Sequence, residues 1–292
     1  MTVVARVITD PACPWSWGSE PKLRRLGWEL GSTLEWRLVM GGLARSYGPS
    51  YRDSQAGIAG DGDCFGDLMA QWLDVGAESG MPIDPRIWRR SPLASTYPAC
   101  QAVKAAAEQG ADAAGRYLRR AREGILVERR KLDHAEALIA AAGEAGLDVA
   151  RFRIDLTSNA IVEAFAADLD EVRAVPEEAR AAGQVAETEG VERVSFPSVV
   201  FVAADGSRHG VWGWQPYDAY REAALAAGAA VESERAAEPL EAIERFGRCA
   251  TKEIEALTRR PRPVVEAELW ALARDWRLRP LPALTGTLWE AA

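Results

Sequence analysis

The feature that most constrains this chain lies within residues 3–40, where one cysteine sits at the step from a strand to a helix. Val3 to Thr9 (VVARVIT) is apolar and β-branched, the pattern of a buried strand. Asp10-Pro11-Ala12-Cys13-Pro14 is a turn. From about Ser16 to Leu30 the residues Trp17, Leu23, Leu26 and Leu30 recur on one helical face, and Gly31 marks the stop. Leu34 to Met40 (LEWRLVM) reads as a second strand. A strand-helix-strand of this length predicts a parallel pair joined by a right-handed crossover. Cys13 then stands at a helix N-terminus, where free N–H groups and the helix dipole favour thiolate over thiol. Its pKa is expected to fall from about 8.5 to between about 3.5 and 7.

The rest of the chain divides by pattern. Gly41 to Gly62 is rich in Gly, Ser, Tyr and Asp and reads as a loop. Residues 62–189 read as an all-helical insertion. Cys64, Phe65, Leu68, Met69, Trp72 and Leu73 form one amphipathic face; Pro98 opens a further run; Asp133 and Glu136 have capping-box spacing; Pro176 suits the first position of a helix. Sheet character returns at Ser198 to Val202, Asp205-Gly206 signals a hairpin turn, and Arg208 to Trp214 is the returning strand. A helix follows Pro216. Val231 to Glu238 is a linker, and the remainder holds two or three short helices and a strand-like, Pro-rich tail. The expected organisation is α/β: residues 1–61 and 190–235 form one domain, 62–189 the helical insertion, and 236–292 a C-terminal helical module.

Lys and Arg number 35 against 43 Asp and Glu, a formal net charge of -8, which argues against nucleic acid and against an anionic membrane surface as partners. The N-terminus goes straight into strand with no signal-peptide pattern, and no stretch is apolar for long enough to span a bilayer, so a cytoplasmic location is expected. In a reducing compartment the four cysteines, Cys13, Cys64, Cys100 and Cys249, are expected as free thiols. The two histidines, His134 and His209, are far from them in sequence, and no metal-ligand spacing is present. Gly57, Gly60, Gly62 and Gly66 lack the preceding strand and following Lys-Ser/Thr of a phosphate cradle.

The run Asp10-Pro11-Ala12-Cys13-Pro14-Trp15-Ser16-Trp17-Gly18, with Phe196-Pro197-Ser198 before the apolar strand, resembles DsbA-like thioredoxin-fold oxidoreductases of the FrnE-like cytoplasmic branch. The resemblance implies a thioredoxin-like fold over about residues 1–230 with a helical insertion. It also implies a nucleophilic Cys13 and a cis-proline at Pro197 that shapes a peptide groove with Pro14, Trp15 and Phe196. The family mostly carries C-x-x-C; here Ser16 occupies the second thiol's place, where it can donate a hydrogen bond to the Cys13 thiolate. Cys13 can still form a mixed disulfide, but release needs another thiol: glutathione, a partner cysteine, Cys64 or Cys100. Relatives that isomerise chromene carboxylates or transfer glutathione use serine in this loop, and others act as Clp-protease adaptors.

The expected function is therefore a monothiol thiol-disulfide oxidoreductase or isomerase. Its substrate would be a thiol- or disulfide-containing protein or small molecule, with no organic cofactor beyond a thiol co-substrate such as glutathione. The alternatives are a redox-linked adaptor with little turnover and a glutathione-dependent isomerase or transferase. Cys100 is read as core, with a resolving role open, and Cys64 as core. The C-terminal part resembles a small winged-helix module; its would-be reader helix carries Glu266 and Glu268, so it is expected to pack or to contact protein rather than DNA.

Overall fold

The computed structural model describes residues 2–47 and 65–292. Cys64 and the glycines at 57, 60 and 62 lie outside the described residues. Strand β1 (Val3–Thr9) leads to helix α1 (Pro14–Gly18), helix α2 (Glu20–Leu30) and strand β2 (Leu34–Met40), and β1 and β2 pair in parallel. One continuous helix was expected here, but it breaks at Ser19. Pro21 has no N–H to return to the carbonyl of the preceding turn, so α1 ends after five residues and α2 starts afresh.

Strand β3 (Val185–Thr188) and strand β4 (Val191–Val194) form a separate hairpin. Strand β5 (Ser198–Val202) lies antiparallel to β1, and strand β6 (Arg208–Val211) antiparallel to β5, giving the order β2-β1-β5-β6. The β5–β6 turn closes at Asp205-Gly206: the Ser207 N–H donates to Asp205 Oδ1 at 2.8 Å, and Gly206 has a φ of 88°. One face of the sheet (Val3, Ala5, Val7, Val199, Phe201) packs on Leu26 and Leu30 of α2 and on Tyr220 and Ala224 of helix α11 (Tyr217–Ala226). The other face packs Ile8, Val39 and Val200 against Val172 and Ala179.

The insertion is helical through α3 (Gly66–Ser79), α4 (Ile87–Arg90), α5 (Tyr97–Ala107), α6 (Ala111–Arg122), α7 (Ala135–Glu144), α8 (Val149–Leu156), α9 (Asn159–Arg173) and α10 (Glu177–Ala181), with a π-helical turn at Glu123–Val127. It departs from the sequence expectation in two places. Extended chain returns at Val185, inside the stretch read as helical. Its strands, VAET and VERV, are short and do not alternate polar with apolar residues, and its turn, Glu189-Gly190, has φ of 54° and 77° with no standard hairpin pair to announce it. The cap of α7 is His134, whose Nδ1 accepts from the Ala137 N–H at 3.5 Å. Asp133 instead accepts from Ala94 N at 2.7 Å, tying two loops of the insertion.

The C-terminal module consists of helix α12 (Pro239–Phe246), strand β7 (Cys249–Ala250), helix α13 (Thr251–Thr258), helix α14 (Arg262–Arg274), strand β8 (Leu278–Pro282) and strand β9 (Thr287–Ala291). Its sheet has the order β7-β9-β8, and helix α13 packs against α2. Glu266 and Glu268 of α14 pair with Arg262 and Arg260 at 2.8 Å each.

A buried cluster of charges joins the sheet domain, the insertion and the C-terminal module. Glu253 of α13, with no exposed surface, takes Arg24 of α2 at 3.0 Å and Arg119 of α6 at 2.7 Å, and caps its own helix through the Ala250 N–H at 2.6 Å. Glu20 pairs with Arg122, Arg24 and Arg119. Burial opposes its ionisation, yet these guanidiniums hold its carboxyl below the usual range. Removing one member strands the others in low dielectric. Glu253→Ala is expected to lower the free energy of unfolding by about 3–5 kcal/mol, measured by urea denaturation; an unchanged midpoint would show that solvent already reaches this cluster.

Candidate functional site

Cys13 closes the turn after β1 and caps α1, with Pro14 as the first helical residue. Its backbone N–H donates to Asp10 O at 3.2 Å, and its Sγ accepts the Ser16 N–H at 3.4 Å. The thiol is 4% exposed. Burial pushes it up from its ordinary value and outweighs the Ser16 hydroxyl, the Ser16 N–H and the Arg193 guanidinium, which favour the thiolate; the Asp10 carboxylate adds to the rise. The lowered pKa expected from helix position alone is thus overturned by desolvation. Ser16 is also buried, and its Oγ, close enough to favour the thiolate, makes no well-aligned hydrogen bond among the described residues.

Cys13, Trp15 and Phe196 share one apolar cluster with Ile8, Val39 and Val200. The Phe196–Pro197 peptide is cis, and Ser198 pairs with Ile8, which puts Pro197 beside the end of β1 where the cysteine loop begins. Phe196 lies against Gly41: a Cβ on that glycine would fall 1.9 Å from the ring, so no other residue fits there without moving the phenylalanine. The Arg193 guanidinium stacks 3.9 Å from the Phe196 ring centroid and donates to Thr188 Oγ1 at 2.7 Å and Val194 O at 2.9 Å. Pro14 and Pro197 are buried and Trp15 is half-buried. The Trp15 ring meets Trp214 at 5.1 Å, and Lys22 Nζ lies 3.4 Å from the Trp214 ring centroid. Burial lowers Lys22 to about 8.

Asp10, read in the sequence only as part of a turn, organises this end of the molecule. It is fully buried and accepts from Ala12 N at 2.8 Å, Leu43 N at 2.7 Å, Thr96 Oγ1 at 2.9 Å and Cys100 Sγ at 3.3 Å. Cys100 is therefore engaged by Asp10 rather than by Cys13. Burial and then Asp10 push its thiol well above the ordinary value. Arg193 was also missed: it sits in the weakly patterned hairpin, and nothing in its local sequence points to the cysteine. Cys249 lies in the C-terminal module, where burial pushes its thiol to about 11 and its Sγ accepts from Arg24 at 2.9 Å.

Asp10 and Cys13 interact by charge, so neutralising the acid makes the thiolate easier to form. Asp10→Asn is expected to lower the Cys13 pKa and to raise its rate of alkylation by iodoacetamide at neutral pH severalfold, with the pH profile shifted to lower values. A profile that stays in place would remove Asp10 from the control of this thiol.

Residues 7–176 match the thioredoxin family. The ClpXP adapter protein SpxH of Halalkalibacterium halodurans is 32% identical over 163 residues, which span 55% of this chain and 51% of that protein, so this alignment covers about half the relative's length. The ClpXP adapter protein SpxH of Bacillus subtilis is 25% identical over 291 residues, 98% of this chain and 88% of that one. Among solved structures, a protein of Nitrosomonas europaea named for protein disulfide isomerase superposes with a TM-score of 0.60 at 18% identity, covering 77% of this chain and 97% of that one. The cytosolic disulfide reductase DsbM of Pseudomonas aeruginosa superposes with a TM-score of 0.54 at 20% identity, covering 76% and 98%. The β-α-β start with a cysteine capping its helix and the returning β-hairpin agree with a thioredoxin fold, and the chain belongs to the thioredoxin family.

Proposed function

We propose that this protein is a cytoplasmic thioredoxin-fold adaptor that holds a partner protein for a ClpXP-type protease, with its thiol chemistry secondary to binding. The observation that carries this reading is the state of Cys13: 4% exposed, pushed toward the neutral thiol by burial, and followed at the first helical turn by Ser16 rather than a second sulfur. A turnover enzyme for disulfides needs an accessible thiolate and a second thiol to release the mixed disulfide. Similarity supports the same reading. The SpxH alignment from Bacillus subtilis runs over 98% of this chain, whereas the likeness to DsbM covers 76%. The C-terminal module also presents Trp270, 54% exposed, and Trp276, 88% exposed, which suits contact with protein.

A second reading is favoured by the Cys13 position itself. The Ser16 N–H at the sulfur and the nearby Arg193 guanidinium would stabilise a thiolate once a substrate opened the site. Cys13 would then attack a disulfide, and glutathione or another thiol would release it, as in a monothiol oxidoreductase, an isomerase or a glutathione transferase.

The two readings separate in one comparison of wild type with Cys13→Ala. The adaptor is expected to show glutathione-coupled insulin reduction no faster than the variant. Both proteins should accelerate ClpXP degradation of the client that co-purifies with the wild type from cells lacking active ClpP. Turnover that vanishes with Cys13, together with no effect on client degradation, would overturn the adaptor and leave the enzyme.

A further inference from the structure

Away from Cys13, α2, α6 and α12 enclose a recess of about 200 Å³ that opens into a cleft of about 900 Å³. One wall is apolar, with Leu23 of α2, Trp36 and Leu38 of β2, Leu118 of α6 and Phe246 of α12; the other is the paired charge cluster of Glu20, Arg24, Arg119 and Arg122. Two glycines line it from facing helices, Gly115 inside α6 and Gly27 inside α2. A glycine inside a helix weakens it and needs a reason. Close packing is not that reason here. A Cβ on Gly115 would meet nothing within 4 Å, and one on Gly27 only the edge of Trp36 at 3.8 Å, an ordinary contact. Both line the recess, Gly27 half-buried and Gly115 exposed at its edge, so side chains at these positions would enter it.

Charge at this cleft is uneven in one respect. Glu20, Glu123, Glu144 and Glu290 each have an arginine partner. Arg116 and Arg245 are exposed and form no ion pair within 4 Å among the described residues: Arg116 Nε donates to Ala145 O at 3.1 Å, and Arg245 Nη2 donates to Gly27 O at 3.0 Å while its guanidinium lies over the Trp28 and Phe246 rings and within the field of Glu232. Arg122, which lines the inner recess, is 2% exposed and keeps a buried Nε–H without an acceptor among the described residues. Asp112, the acid at the outer lip, faces solvent. A slot with one apolar wall and two exposed guanidiniums without a close carboxylate at its mouth suits a ligand with one ring or short chain and one anionic head.

We propose that this recess binds a small amphipathic carboxylate, an aryl or alkyl acid, with its apolar part between Gly27 and Gly115 and its carboxylate toward Arg116 and Arg245. The site lies at the junction of the sheet domain, the insertion and the C-terminal module, so occupancy would also tighten their contact.

The test is calorimetric titration of the full chain with benzoate, 1-naphthoate and octanoate, each beside its uncharged amide. At least one acid is expected to bind one-to-one with a Kd below about 1 mM, and its amide at least about tenfold more weakly. Gly115→Leu, which fills the recess with a better helix former, is expected to weaken binding at least about tenfold while the thermal midpoint holds or rises. Arg116→Ala with Arg245→Ala, both at the mouth, should bring acid and amide to equal affinity and serves if the leucine variant does not fold. No binding by any of the three acids, binding that survives both variants, or amides that bind as well as acids would overturn the proposal.

Discussion

The seam between the parts of this molecule is held by the carboxylate of Glu253 between two guanidiniums. A buried charge is tolerated only when it is paired, so the cluster accepts one arrangement of its elements and penalises others. Arg24 brings α2, Arg119 brings α6, and Glu253 brings α13. An apolar seam of the same size could slide by a residue at small cost, whereas sliding this one would leave an arginine or a glutamate in low dielectric without a counter-charge. The consequence reaches the cysteine. Helix α2 continues from α1, which Cys13 caps, and the Trp17 side chain of α1 is fixed from the insertion by Pro82 O at 2.9 Å and by the Arg119 guanidinium over its ring. The same arginine therefore bears on both the junction and the floor beneath the site.

Asp10 is the local counterpart at the other end of that helix. Its two oxygens gather a backbone N–H from the cysteine loop, another from the stretch after β2, and a hydroxyl and a thiol from the insertion. Burial favours its neutral form, and four donors favour the charged one. Its position fixes the loop, and its charge makes both neighbouring thiols harder to ionise. An acid placed to build the loop is thus also an acid that restrains the loop's nucleophile.

The parts of this architecture that were legible in the sequence are those written in strong local patterns. VVARVIT and LEWRLVM announce β1 and β2, Asp205-Gly206 announces the last hairpin, and the Phe-Pro-Ser segment announces the chain beside the cysteine. The β3–β4 hairpin was hidden because its strands are short, half-exposed and largely polar, and because Glu189 takes a left-handed conformation unusual for its type. Arg193 was hidden with it. Asp10 was visible as a residue but not as a centre, since its partners come from 33, 86 and 90 residues further along the chain. The thiol environment was hidden for the same reason: burial of Cys13 is a tertiary fact, created by Phe196 and the hairpin that carries Arg193.

Pro21 limits how strongly a helix acts on Cys13. The thiolate at a helix N-terminus is stabilised by free N–H groups and by the dipole of the helix behind it, and an unbroken helix from Pro14 to Leu30 would have supplied both. The missing N–H of Pro21 ends α1 at Gly18, so the dipole facing Cys13 comes from five residues. One backbone donor, Ser16 N, reaches the sulfur, and at 3.4 Å that contact is set against nearly complete burial. Desolvation then wins, and Cys13 rests as a thiol. What would shift that balance is exposure of the loop, and the residues packed with it are Trp15, tilted against Trp214, and Phe196 beneath Arg193. The reactivity of this cysteine is therefore set by how far its loop is uncovered, not by its place at a helix N-terminus alone.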